Sequence, residues 1–171
     1  MTGRAQILVT TLAGVGLLAF AFASHPLPLY MWNASASVPV GLYRLQSTDQ
    51  RYVTELVAVL PPEPLATFLV DGNYLSRGVP MLKRVLALPG QTVCREGLTI
   101  LVDAIAVGAA RKRDGRGRLL PVWQGCRVVR MDELFLMNGR SPDSLDGRYF
   151  GPIPASAVIG RAHPVWIEKE D

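Results

Sequence analysis

Histidine and cysteine are scarce in this chain, with two of each among 171 residues. His25 and His163 stand far apart, and neither a CxxC pair nor a mixed Cys/His cluster occurs. A structural metal, a cofactor and a histidine-activated nucleophile are therefore not expected. Charge is missing from one long stretch: no Asp, Glu, Lys or Arg lies between Arg4 and Arg44. Few segments keep a helical period for three turns, which argues against an α-helical bundle. The one dense basic run, RKRDGRGR at residues 111–118, is broken by glycine and has no interleaved aromatics, so a nucleic-acid partner is not expected. It reads as a solvated hairpin tip, with contact to anionic lipid or a protein partner as the alternative.

The uncharged stretch accounts for much of the chain's mean hydropathy of +0.22. Residues 7–23 (ILVTTLAGVGLLAFAFA) are near the short end for crossing a hydrocarbon core of about 30 Å, and residues 24–31 add weakly polar length. The segment reads as an uncleaved anchor. A cleaved signal peptide is the rival, since Ala21-Phe22-Ala23 and Ala34-Ser35-Ala36 both offer small-residue sites. Arg4 favours a cytoplasmic N-terminus, which exports everything after residue 30. The expected division is a cytoplasmic tip and transmembrane anchor over residues 1–30, followed by a periplasmic domain over residues 31–171.

Beyond the anchor, apolar runs of strand length alternate with turn signals at residues 55–60, 68–70, 74–76, 81–88, 98–107, 119–123, 127–129 and 134–137. With 13 Pro and 16 Gly, the pattern predicts a mainly β, antiparallel core with one short helix near residues 61–68. Residues 98–107 read as a hairpin turning near Asp103. The stretch 96–130 reads as a small β subdomain inserted between two halves of the core. Cys94 and Cys126 bracket it and, in an oxidising compartment, are expected to pair at its base; two buried free thiols are the alternative.

Three segments carry residues suited to chemistry. In NASASVPVGLY (residues 33–43), serine stands beside a rigid Pro39 and a permissive Gly41, a setting that can hold a nucleophile on an exposed turn, although Ser/Pro/Gly loops are common without one. In MLKRVLALPG (81–90), strand alternation puts Met81, Lys83, Val85 and Ala87 on one face and Leu82, Arg84, Leu86 and Leu88 on the other. Each face is apolar apart from one cation. A buried lysine loses its proton readily and can serve as a base, whereas Arg84 stays charged and needs a carboxylate or carbonyls. Snorkelling of both heads from an edge strand is the alternative. In NGRSPDSLDGRYFG (138–151), Asp/Arg pairs can orient a catalytic amine or form a surface network; Asp143 with Asp146 as an acid/base pair is the less favoured reading.

Taken in this order, the segments resemble the boxes of type I signal peptidases: a membrane-proximal serine, KRVxxLPG, then a box ending in RYFG with GRA further on. The likeness covers residues 33–162 apart from the insertion. It implies a signal-peptidase-like antiparallel β core, Ser37 as nucleophile and Ser35 as the hydroxyl assisting the oxyanion hole, with Ser35 also a minor alternative nucleophile. It further implies Lys83 as general base, Arg84 as a structural neighbour, and Ser144, Asp146 and Arg148 as supports of the lysine, Asp146 being the one the TraF branch requires. The residues after Ser37, Val-Pro-Val-Gly-Leu-Tyr, replace the Met and Pro-Thr of general signal peptidases and look like that TraF branch of conjugative transfer. Gly147 replaces a usual serine, and Pro142 interrupts the third box. The resemblance implies a bacterial inner-membrane enzyme with its catalytic domain in the periplasm, working with conjugation proteins on a membrane-embedded propilin, with water or the pilin's own N-terminal amine as the group that resolves the acyl-enzyme, the amine giving a cyclic product. A general signal peptidase and a non-catalytic membrane-tethered β module are the competing readings.

Overall fold

A computed structural model describes residues 3–23, 29–47 and 50–168. Helix α1 (Gly3–Ala23) is long and apolar enough to cross a membrane, and none of its residues 3–20 is buried among the described residues. Thr10 and Thr11 return their hydroxyls to the carbonyls of Gln6 and Ile7, so these two polar groups are satisfied within the helix, as an apolar surrounding requires. His25, and the residues 24–28 that extend the apolar stretch, lie outside the described residues.

Among the described residues eleven strands follow: β1 (Tyr30–Asn33), β2 (Gly41–Gln46), β3 (Leu56–Val59), β4 (Met81–Ala87), β5 (Thr92–Glu96), β6 (Thr99–Val102), β7 (Ile105–Ala109), β8 (Gly125–Val128), β9 (Glu133–Leu136), β10 (Ile153–Pro154) and β11 (Val158–Ile167). They form a seven-stranded sheet, β1-β2-β11-β3-β4-β9-β10, and a four-stranded sheet, β7-β6-β5-β8. All pairings are antiparallel. The mainly β, antiparallel expectation is met, and the smaller sheet is the inserted one.

The insertion begins earlier than residue 96, because β5 is one of its two inner strands. It is also no separate body: Val93, Ile100 and Val102 share a core with Ala87, Phe135 and Met137 of the larger sheet's β4–β9 region. The hairpin of β6 and β7 turns at Asp103 and Ala104, both with positive φ. Cys94 and Cys126 face each other across β5 and β8 and form a disulfide.

Three expected strands are absent. Residues 68–70 belong to helix α2 (Leu65–Asp71), which lies slightly after the short helix anticipated at 61–68. Residues 74–76 are a turn with Tyr74 stacked on Phe68, and residues 119–123 pair only through the single bridge Arg113–Leu119. Short apolar runs have no intrinsic strand or helix identity; their partners decide it. Conversely, β11 carries Gly160 and Pro164 and reads poorly as a strand, yet it pairs with both β2 and β3. Its register shifts between Pro164 and Trp166, which accommodates the missing N–H.

Candidate active site

Asn33 closes the serine turn. Its buried side chain donates through Nδ2 to the carbonyls of Ser35 (2.7 Å), Val38 (3.1 Å) and Pro39 (3.1 Å), and its Oδ1 accepts the Ser35 N–H. The Tyr43 hydroxyl donates to the Pro39 carbonyl at 2.7 Å, and Val38 is sunk in the core. Gly41 follows because a Cβ there would lie 2.2 Å from the Trp166 carbonyl oxygen of β11. The turn is thus pinned from three sides, leaving Ser35 exposed and Ser37 partly exposed. The Ser35 hydroxyl donates to Ser37 Oγ at 3.1 Å and accepts the Ser37 N–H at 3.3 Å.

Lys83 sits in the middle of β4, between β3 and β9, and is only 5% exposed. Its side chain shares a face with buried Val85 and Ala87, and its Nζ donates to Ser144 Oγ at 2.8 Å. Burial pushes the Lys83 ammonium down to about 8; the negative charge of Asp146 pulls upward and Arg148 downward, both less strongly. The apolar strand therefore supplies what a general base near neutral pH needs. Arg84 leaves on the opposite face, exposed, and donates to the Thr54 carbonyl at 2.9 Å. It found a carbonyl and stands outside the cleft.

The third box is a buried polar network. Asp146 caps the short helix α3 (Gly147–Phe150) and accepts from Arg148 Nε at 2.8 Å, from Arg148 Nη2 at 2.9 Å and from the Asn138 N–H at 3.0 Å. Arg148 Nη2 also donates to the carbonyls of Ser141 (2.7 Å) and Ser144 (3.1 Å). Asp146 makes no hydrogen bond to Lys83: it orients Arg148, which holds the backbone of Ser144, which meets the lysine. Asp143 is exposed and paired with Arg111, so Asp143 and Asp146 do not form a carboxylate pair. Gly147 stands where a Cβ would come within 2.6 Å of the Phe135 ring and 2.7 Å of the Leu136 carbonyl, which explains the absence of a serine there.

Asn33 and Asn138 stand inside the sequence boxes with no role legible from the sequence, and the structure makes both of them braces of the site. Each is an amide at the end of a strand, just before a Gly/Pro/Ser turn, where a side chain that both donates and accepts can replace missing strand partners. No local pattern singles out Arg95. Buried at 1% exposure on β5, it donates to the Arg148 carbonyl at 2.6 Å and ties the inserted sheet to this network.

Ser37, Lys83 and Ser144 line one open cleft of about 870 Å³. Ser37 and Lys83 do not hydrogen-bond in this structure, each being held by another serine. The basic run is the exposed hairpin tip expected, bridged at Arg113–Leu119, and Arg111, Arg116 and Arg118 also line the same cleft. Among the described residues the one grouping with metal-ligand character is Cys94, Glu96 and Cys126, and the disulfide leaves it no thiolate.

A serine on a braced turn and a buried lysine, both facing one cleft on an antiparallel β frame, supply the groups a histidine-free serine peptidase requires. The chain belongs to the signal peptidase family described as signal peptidase, peptidase S26, which it matches over residues 3–167. It is 35% identical over 165 residues to a probable conjugal transfer protein TraF of Sinorhizobium fredii, covering 91% of this chain and 84% of that one. It is 33% identical over 175 residues to a conjugal transfer protein TraF of Agrobacterium fabrum, covering 97% and 98%. A crystal structure of a signal peptidase I from Enterococcus faecalis aligns with a TM-score of 0.41 at 19% identity, covering 67% of this chain and 98% of that one; the family assignment does not rest on it. The resemblance drawn from the three boxes is therefore confirmed at the level of the family and of its TraF relatives, and the chain is a peptidase of this family.

Proposed function

We propose that this peptidase uses Ser37 and Lys83 to mature a pilin precursor for conjugative transfer, anchored by α1 in the bacterial inner membrane with residues 31–171 in the periplasm. The observation that carries the reading is the buried, proton-shedding Lys83 sharing a cleft with Ser37. Neutral Lys83 takes the Ser37 Oγ proton as that oxygen attacks the scissile carbonyl; the oxyanion then accepts from the Ser37 N–H and the Ser35 hydroxyl. Those two donors are engaged with each other in the free enzyme, so substrate replaces an internal bond and both are already in place. The Lys83 ammonium returns its proton to the leaving amine, giving an acyl-enzyme on Ser37. Water resolves it to a linear product, or the pilin's own N-terminal amine resolves it to a cyclic one.

The conjugative role rests on the names of the TraF relatives. The periplasmic placement is supported by the Cys94–Cys126 disulfide and by Arg4 at the start of α1. Exposed Tyr30 and Trp32 follow the anchor closely along the chain, and exposed Trp166 stacks on Trp32 at 5.7 Å, which suits a membrane interface. Ser37→Ala and Lys83→Ala variants expressed with a candidate propilin test the reading: both are expected to leave the precursor uncut, and unchanged processing in either would overturn the dyad. Mass spectrometry of the native product separates the two resolutions, the cyclic form being lighter than the linear one by one water.

A further inference from the structure

The loop between β7 and β8 carries the basic run and is built as a rigid wall. The Asp114 carboxylate accepts the N–H groups of Arg116 (2.9 Å) and Arg118 (2.8 Å), Arg118 Nε (2.7 Å) and the Tyr74 hydroxyl (2.6 Å). The Arg118 guanidinium lies 4.1 Å from the centre of the Tyr74 ring and donates to the Gly72 carbonyl. Leu120 and Ala110, at the loop's ends, are buried against Tyr149.

The charges on this side of the cleft are matched one by one, with a remainder. Arg111 pairs with Asp143, and Arg118 with Asp114. The Asp114 carboxyl lies well below the usual range, chiefly through its bond from Tyr74, so it stays charged and committed to the loop. Arg116 is exposed and lines the cleft, and among the described residues its guanidinium has no hydrogen-bond or ion-pair partner. Lys112 is exposed on the same loop, and no unpaired carboxylate lines the cleft among the described residues. A braced loop thus presents an unmatched cation at the cleft that holds Ser37 and Lys83.

We propose that Arg116 is a specificity-determining residue that receives an acidic side chain of the peptide bound in this cleft. The proposal rests on the reading of the cleft as the site of peptide cleavage. A guanidinium held at a rim in water contributes modestly to affinity and more to choosing among substrates, so a preference of about fivefold at one substrate position is expected.

The test uses the full-length chain in detergent micelles with short alanine-rich peptides, each carrying one Glu at a single position on either side of the cut, and a matched set carrying Gln. The quantity read is the Glu-to-Gln ratio of kcat/KM, which cancels differences in folded enzyme between variants. Expected is one position with a ratio of about 5 at low salt, falling towards 1 as salt is added, close to 1 in Arg116→Gln and below 1 in Arg116→Glu. Cleavage with a flat ratio at every position, or a ratio unchanged in Arg116→Gln, would overturn the proposal and leave the peptidase reading standing. Failure of every peptide to be cut would overturn both.

Discussion

The Asn138 side chain clamps the strand on either side of Lys83: its Nδ2 donates to the Leu82 carbonyl at 3.0 Å, and its Oδ1 accepts the Arg84 N–H at 3.0 Å. β9 ends at Leu136, so this amide extends the pairing of β4 beyond the last strand residue and fixes the backbone from which the lysine projects. Asn138→Ala strands a buried carbonyl and an N–H, and is expected to lower stability by about 2–3 kcal/mol in denaturant titration and kcat by about 10- to 100-fold. Asn138→Asp adds a negative charge beside the lysine and favours its protonated form, so the midpoint of its pH–rate curve should move upward.

Activity should follow the deprotonation of Lys83. With its proton leaving at about 8, kcat/KM is expected to rise through the range around pH 8 and level off above it. A profile flat from pH 6 to pH 9 would contradict a lysine base.

Lys83 also sets a pH dependence of stability. Its folded value, about 8, lies below its ordinary 10.5, so between these values the unfolded chain holds the proton more often than the folded one. Stability from this group therefore rises as pH climbs from 8 towards 10.5, and below 8 the full penalty applies, on the order of 3 kcal/mol. Lys83→Met should raise the melting temperature at pH 7 by a few degrees, less any loss from the missing Ser144 bond, and the gain should shrink towards pH 10. Calorimetry at the two pH values checks the sign.

Asp146→Asn leaves the fully buried Arg148 without its counter-charge, both side chains being no more than 2% exposed. A loss of about 3–5 kcal/mol is expected in denaturant titration. Activity should fall too, because Arg148 then grips the Ser141 and Ser144 carbonyls less firmly. Normal stability in this variant would show that the pair is not the keystone of the box.

Replacing Cys94 and Cys126 together by Ser opens a loop spanning 32 residues and should cost about 3–4 kcal/mol in the chain-entropy account. Cys94 adjoins Arg95 on β5, so the same variant should loosen the Arg95–Arg148 bond and lower kcat more than it changes KM.

Much of this protein is readable along the chain. The N-terminal apolar helix is legible because charge-free length is a linear property, and β4 is legible because an apolar run of strand length bounded by turn residues survives without knowledge of neighbours. The order of the serine, KRV and RYFG boxes named the family, since motif spacing too is linear. Other features depend on residues far apart in sequence. Whether residues 68–70 are helix or strand, and that β11 with its Pro164 lies between β2 and β3, follow from pairing partners that no local pattern specifies. The relay from Asp146 through Arg148 and Ser144 to Lys83, and the folding of the basic run against Tyr74 onto the cleft wall, are likewise tertiary. Hydrogen bonds and burial act through space, so the chain supplied the chemical groups while only the packed sheets decided which of them meet.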